Sequence, residues 1–260
     1  MYIHRNEMKK IVLAMTMAVV LCQGAAAASK VQTMLLLGDG TMAVNTRTET
    51  PQAYGWGEEM GQYLQGMQVV NDAYPQMSVL SLMDNINDLD AKLEQYGRKD
   101  ILLLQCGQND LNETRDDMHS TVEELIQRLT KVIEVAQDKK MRIILCTPLA
   151  EPFFMDGQLI DRLGAYPQAI RNLAGNKQLP LLDLEAATRQ WISDLGEEGV
   201  KAYYVNLDTE HSPAGEYLLN EAGAKAVSKM AAEGLKALNL KYLKKVLVVE
   251  GNTATADATK

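Results

Sequence analysis

Five short apolar runs recur along this chain, and segments with helical periodicity separate them. The runs cover residues 33–37, 68–71, 100–106, 141–147 and 179–184. Between them, residues 120–136 repeat apolar side chains at every third or fourth position behind a capping box of Ser120 and Glu123, and residues 220–238 repeat them similarly. Continuous apolar strands that alternate with amphipathic helices predict an α/β fold, with a five-stranded parallel sheet covered on both faces.

Two polar loops follow strands of this predicted sheet, residues 38–41 and residues 107–110. Ligands of an open parallel sheet bind beyond the carboxyl ends of its strands, so both loops are expected at one cleft. Asp39 is typical of a turn or cap residue, and Gln108 and Asp110 of polar groups that stabilise a loop. The predicted cleft-lining residues are Asp39, Thr41, Gln108 and Asp110.

The first residues have the pattern of an export signal. Lys9 and Lys10 precede an apolar run at residues 11–21, and small residues at 24–28 offer cleavage sites. A run of this length is too short to span a bilayer comfortably, so no stable membrane span is predicted.

We therefore predict a signal peptide over residues 1–28, one domain over residues 29–245 and a disordered tail over residues 246–260. The protein is expected to be exported, either to the periplasm or out of the cell. A lipoprotein attached through Cys22 is the less favoured alternative, because the bulky Leu21 fits a lipid-attachment site poorly.

Charge and cysteine usage restrict the partners. A formal charge of −8 argues against nucleic acid, because phosphate neutralisation needs clustered Lys and Arg. Cys106 and Cys146 each end an apolar run, which favours two buried core residues over a disulfide. No cofactor and no metal site is predicted, since no His, Cys or carboxylate spacing resembles one. The oligomeric state stays open.

A series of motifs over about residues 33–240 resembles the SGNH (GDSL-type) hydrolases, and among them the rhamnogalacturonan acetylesterases. In chain order the motifs are Gly38-Asp39, Pro51, Gly55-Trp56-Gly57, Val69-Val70-Asn71, Gly107-Gln108-Asn109-Asp110, Cys146-Thr147-Pro148 and Asn220-Glu221-Ala222-Gly223-Ala224. The resemblance implies a flavodoxin-like three-layer α/β/α sandwich. It also implies an esterase for acetylated plant-type polysaccharides or oligosaccharides.

The family's nucleophile is missing from this chain. Gly40 stands where the resemblance places the attacking serine, and residues 73–78 stand where a glycine-rich turn supplies an oxyanion donor. Pro75 in that segment has no N–H. Gly40, through its backbone N–H, and Asn109 are therefore the predicted remnant of the oxyanion hole. Thr41, the residue after Gly40, carries a hydroxyl group, and we interpret it as a structural residue rather than a substitute nucleophile.

Two alignments compete for the family's Asp-x-x-His dyad. In the first, the helix starts at Asn220 and the dyad positions fall on Gly215 and Leu218, so both catalytic residues are lost. In the second, Asp208 and His211 are the dyad, and the last helix opens just after them and runs to about Leu238. We favour the first alignment, because the second places Gly223 inside a helix at a cost of about 1 kcal/mol.

Three function hypotheses follow. The favoured one is an exported, catalytically inactive or severely impaired relative of carbohydrate acetylesterases that still binds a glycan. The second is an active ester hydrolase that uses a non-standard nucleophile or water activated by Asp208 or His211. The third is a protein-interaction module on the same fold. Trp56 is interpreted as a packing anchor rather than a sugar-stacking ring, while Tyr203, Tyr204 and Tyr217 are candidate cleft residues with packing as the default.

Overall fold

The computed structural model describes residues 31–46, 50–205, 207 and 217–247. The chain divides into two units, Met1–Val31 and Gln32–Lys260, and every element below belongs to the second unit. The predicted signal peptide lies outside the described residues, as do residues 248–260 of the predicted tail.

The central sheet has five parallel strands at the predicted positions, in the spatial order β2-β1-β3-β4-β7. Strands β5 and β6 form a separate antiparallel hairpin after β4. The strands are β1 (Gln32–Leu37), β2 (Met67–Asn71), β3 (Ile101–Gln105), β4 (Arg142–Cys146), β5 (Phe154–Met155), β6 (Gln158–Leu159) and β7 (Leu181–Leu182).

Helices cover both faces of this sheet, and the fold is a three-layer α/β/α sandwich. The α-helices are α1 (Val79–Asp84), α2 (Ile86–Leu93), α3 (Val122–Asp138), α4 (Tyr166–Lys177), α5 (Leu184–Gly199, kinked at Gly196) and α6 (Glu221–Ala237). Two 3-10 helices span Trp56–Tyr63 and Val200–Ala202.

Alternation along the strands sorts the core into two clusters. Leu36, Leu103 and Ile144 pack with the first 3-10 helix, α5 and α6. Their chain neighbours Leu35 and Leu102 pack on the opposite face, against α1 to α4. Because both faces are covered, the strands consist of uninterrupted apolar residues, which is why the sequence signal for the sheet is strong.

Two details of the sequence interpretation change. Helix α3 is capped one residue later than predicted, by Thr121 with Glu124, and the Ser120 hydroxyl instead accepts a 2.6 Å hydrogen bond from Arg128 Nη1. The folded chain also extends past residue 245, because Gln65 N donates to Val246 O and Leu247 bridges Leu64.

The cysteine prediction is confirmed: Cys106 and Cys146 are free thiols, each about 1% exposed. Among the described residues, no helix combines the length and the apolar character that crossing a bilayer requires.

The Gly55-Trp56-Gly57 motif places the first 3-10 helix directly on the turn that follows β1. Trp56 N donates to Thr41 O at 2.8 Å, and Gly57 N donates to Met42 O at 3.2 Å. A Cβ at Gly57 would lie 2.5 Å from Met42 O, and one at Gly55 would lie 2.0 Å from Ala43 O. The two glycines are needed because two backbone segments approach closely, and Trp56 between them is fully buried.

Replacing Gly57 with alanine is expected to destabilise the fold by about 2 kcal/mol, because the new methyl group meets a backbone oxygen that cannot move independently. Gly61→Ala in the same 3-10 helix is the matched control, since nothing lies within 4 Å of its added Cβ. Urea unfolding of both variants provides the measurement. Equal stability of the two would contradict the close-approach explanation.

Candidate active site

The loops that follow β1 and β3 meet at a cavity of about 770 Å³. β1 and β3 are neighbours in the sheet, and the chain continues from them to opposite sides, to β2 and to β4. Ligands of doubly wound sheets bind at such a switch point. The cavity wall includes Asp39, Gly40, Thr41, Pro75, Gln108, Asn109, Glu151, Arg162, Tyr217 and Leu218.

A buried set of hydrogen bonds, here called the Gln105 network, forms the floor beneath the turn after β1. Gln105 is fully buried, and its Nε2 donates to Asp39 Oδ2 at 3.1 Å and to Thr41 Oγ1 at 2.8 Å. Its Oε1 accepts from Trp56 Nε1 at 3.2 Å. Trp56 is thus a packing anchor with a bonded indole, as the sequence interpretation has it.

Asp39 acts as a turn residue inside this network. Its Oδ1 accepts from Thr41 N at 2.9 Å and from Thr41 Oγ1 at 2.6 Å. Burial raises the pKa of the Asp39 carboxyl, and the bonds from Thr41 and Gln105 oppose that rise. The Thr41 hydroxyl therefore donates to a carboxylate and accepts from an amide, so it is held in the floor rather than directed at a substrate.

Gly40 occupies the turn between them. Within the described chain the glycines with positive φ are Gly66, Gly107, Gly157, Gly164 and Gly196, so the backbone at Gly40 does not require glycine. Serine could therefore adopt the backbone conformation found at position 40. The Gly40 N–H has no protein acceptor among the described residues.

Asn109 is committed to protein contacts. Its Nδ2 donates to Pro75 O at 2.9 Å and to Met77 O at 2.8 Å. An amide NH₂ has two hydrogens, and these two carbonyls take both. Asn109 thus lines the cavity beside Gly40 but has no amide hydrogen left for an oxyanion while the segment from Pro75 to Met77 keeps this position.

Asp110 corrects one lining assignment, because it lies behind the cavity wall. It is fully buried, and its Oδ1 accepts from Val79 N while its Oδ2 accepts from Gly107 N, both at 2.9 Å. Burial raises the pKa of the Asp110 carboxyl to about 6, against the hydrogen bonds that lower it. Its contacts tie the loop after β3 to the start of α1, which is a structural role.

Two cavity residues escaped the sequence analysis, Glu151 and Arg162. Both come from the connection between β4 and α4, which contains the hairpin of β5 and β6. Gln108 Nε2 donates to Glu151 Oε1 at 2.6 Å, and Arg162 Nε lies 3.5 Å from Glu151 Oε2. Burial raises the pKa of Glu151, with Arg162 and Gln108 opposing the rise. No sequence motif marks either residue. The one available signal was an acidic residue a few positions after the end of an apolar run.

The region of the predicted dyad is described only at its edges. Asp208, His211 and Gly215 lie outside the described residues. Val205 N donates to Leu218 O at 2.8 Å, which brings together the two sides of the intervening segment. Leu218 lines the cavity together with Gly40, as does Tyr217, whereas Tyr203 and Tyr204 are absent from the described lining.

The start of α6 agrees with the first alignment. Asn220 caps the helix by accepting from Gly223 N at 3.0 Å, and its own backbone is extended at φ −88° and ψ −178°. This extended residue interrupts the continuous helix that the second alignment requires. In the first alignment Leu218 is the position of the histidine, and an apolar side chain cannot serve as a base. The dyad assignment to Asp208 and His211 stays a prediction.

The described part of the chain contains no cluster of three or more His, Cys, Asp or Glu that could hold a metal ion.

Sequence comparison identifies the family. The GDSL-like Lipase/Acylhydrolase family profile matches residues 36–225. The chain belongs to this family. Rhamnogalacturonan acetylesterase RhgT of Bacillus subtilis is 30% identical over 215 residues, covering 80% of this chain and 90% of the relative. The probable rhamnogalacturonan acetylesterase YesY of the same organism is 26% identical, covering 82% and 96%.

Solved structures share the fold. The YXIM protein of B. subtilis superposes with a TM-score of 0.66 at 23% identity, over 81% of this chain and 57% of that one. Axe2, an acetylxylan esterase from Geobacillus stearothermophilus, superposes with a TM-score of 0.58 at 17% identity, over 82% and 96%. Both likenesses support the α/β/α assignment.

The stability contribution of Asp110 is expected to depend on pH. Its pKa rises on folding from 3.8 to about 6, so its contribution is fully present below pH 3.8 and is lost as the pH rises through 6. The Asp110→Asn variant has no ionisable group at this position. The advantage of the unmodified protein over this variant should shrink by up to about 3 kcal/mol between pH 4 and pH 7. Urea unfolding at the two pH values tests this, and a constant difference would refute it.

Proposed function

We propose that this protein is an exported carbohydrate-binding member of its family that has lost efficient ester hydrolysis. The observation that carries the proposal is that Gly40 and Leu218 line the same cavity. In the favoured alignment these are the positions of the nucleophile and the base. Neither residue has a group that can attack a carbonyl or accept a proton.

The remaining groups do not replace the missing chemistry. The Thr41 hydroxyl is bonded to Asp39 and Gln105, and both amide hydrogens of Asn109 are bonded to carbonyls. Loss of the nucleophile alone costs roughly 10⁶ in turnover when a triad acts as a unit. The Gly40 N–H is a single oxyanion donor, and one such donor contributes about 10² to 10³.

Binding is a separate property from turnover, and the cavity supports it. A volume of about 770 Å³ accommodates sugar units, and the wall offers amide, carboxylate and guanidinium groups from Gln108, Glu151 and Arg162. The relatives RhgT and Axe2 are named for acetylated polysaccharides. We infer an acetylated plant-type polysaccharide or oligosaccharide as the ligand class, and export directed by residues 1–28.

The purified protein is expected to release no acetate from acetylated rhamnogalacturonan above a heat-denatured control, because Gly40 stands at the nucleophile position and the Thr41 hydroxyl is bonded to Asp39 and Gln105. Gly40→Ser should remain inactive, since Leu218 supplies no base and Asn109 is engaged elsewhere. Chromatographic quantification of acetate is the measurement. Release by the unmodified protein that disappears in His211→Ala or in Thr41→Val would overturn the proposal in favour of an unconventional hydrolase.

Acetylated rhamnogalacturonan oligosaccharides or acetylated xylo-oligosaccharides are expected to bind the purified protein without being hydrolysed. Isothermal titration calorimetry at pH 7 measures the affinity, and mass spectrometry of the recovered ligand checks that its acetyl groups are intact. A titration with no heat for either ligand, combined with no shift in thermal unfolding, would instead favour a protein-interaction module.

A further inference from the structure

Glu151 is a buried carboxylate in the wall of an open cavity. The residue is 8% exposed, although it lines the cavity. A carboxylate removed from water raises the free energy of the fold unless hydrogen bonds replace its hydration. Asp39 and Asp110 are buried too, and each has both oxygens bonded to donors of neighbouring segments. Glu151 differs from them in its bonding.

Two acceptor oxygens at Glu151 and Gln108 are left without partners. The 2.6 Å bond from Gln108 Nε2 uses Glu151 Oε1. Glu151 Oε2 and Gln108 Oε1 are buried and have no hydrogen-bond partner in the part of the chain that the structure describes. Arg162 Nε lies 3.5 Å from Glu151 Oε2, beyond the roughly 2.7–2.9 Å of a charge-assisted bond.

The chemistry of these atoms defines what completes them. Both oxygens accept hydrogen bonds and neither can donate, so the missing group must carry O–H or N–H donors. Neighbouring hydroxyl groups of a sugar are such donors, whereas an ionised sugar carboxylate has no hydrogen to donate.

Arg162 lies beside Glu151 Oε2 and can move away from it. Its side chain is 40% exposed, with Nη1 bonded to Tyr217 Oη at 3.1 Å and the guanidinium 5.0 Å from the Phe153 ring. Exposed side chains change rotamer within nanoseconds, so a modest rotation uncovers Glu151 Oε2. Its remaining N–H groups could then donate to the oxygens of the bound hydroxyl groups.

We propose that Glu151 and Gln108 form a hydroxyl-recognition subsite, in which their two unpaired oxygens accept hydrogen bonds from neighbouring hydroxyl groups of one sugar unit. This inference rests on the proposed function, since it requires a carbohydrate in the cavity. Beyond that function, it specifies which protein atoms select the ligand and which groups of the sugar they contact.

Calorimetric titration of Glu151→Gln with acetylated rhamnogalacturonan and acetylated xylo-oligosaccharides tests the subsite. The affinity for whichever oligosaccharide binds the unmodified protein is expected to fall roughly tenfold or more, because a hydrogen bond to a charged acceptor is lost. The same oligosaccharide with O-methylated hydroxyl groups should bind the unmodified protein equally weakly. Asp156→Asn is the control, since it removes one charge from an exposed turn of the same connection.

Thermal unfolding establishes that each variant is folded. Gln108→Met, at a half-buried position, removes the other acceptor oxygen. This variant is used in the titration instead of Glu151→Gln if the Glu151→Gln protein does not fold. Unchanged affinity in the folded variants would overturn the subsite alone and would mean that trapped water satisfies the two oxygens. Absence of binding by the unmodified protein would overturn the proposed function together with the subsite.

Discussion

The buried side-chain amide of Gln105 determines the shape of the cavity floor. It stands at the carboxyl end of β3, where β1 and β3 send the chain to opposite sides, and it bonds to the turn after β1 and to the Trp56 indole. Gln105 is fully buried, so the loss of one of these partners leaves its side-chain amide unsatisfied at a cost of about 1–3 kcal/mol. The turn that carries Gly40 is therefore held by Asp39, Thr41 and Gln105, independently of what side chain position 40 has.

This separation supports the proposal that the site keeps its form without efficient ester hydrolysis. The side chains that build the floor are bonded to one another, and none of these hydrogen bonds involves a side chain at position 40. Asn109 shows the complementary change: the carbonyls of Pro75 and Met77 take its amide hydrogens, where the family resemblance expects a glycine-rich turn with a free N–H. The hydrogen bonds that hold the turn after β1 therefore do not depend on a serine side chain at position 40.

The sheet was predictable because strands covered on both faces consist of uninterrupted apolar residues, and the two loops could be placed from the topology of parallel strands alone. The capping box of α3 was predicted one residue early, since the sequence pattern does not show that the Ser120 hydroxyl bonds to Arg128 instead. For a related reason, the sequence does not show that Asp110 lies behind the cavity wall rather than in its lining. Two of its partners, Val79 N and Gly107 N, are backbone groups that no side-chain pattern reveals.

The three buried carboxylates at this site, Asp39, Asp110 and Glu151, differ in how far hydrogen bonds account for their burial. Asp39 and Asp110 have hydrogen-bond partners for both oxygens, so their burial is accounted for by the loops they hold. Glu151 has an oxygen with no hydrogen-bond partner among the described residues, and it lies on the connection between β4 and α4 rather than on the turn after β1. Among the described residues that line this cavity, the unsatisfied polar atoms are acceptors, which supports the proposal that the cavity holds a hydroxyl-rich ligand.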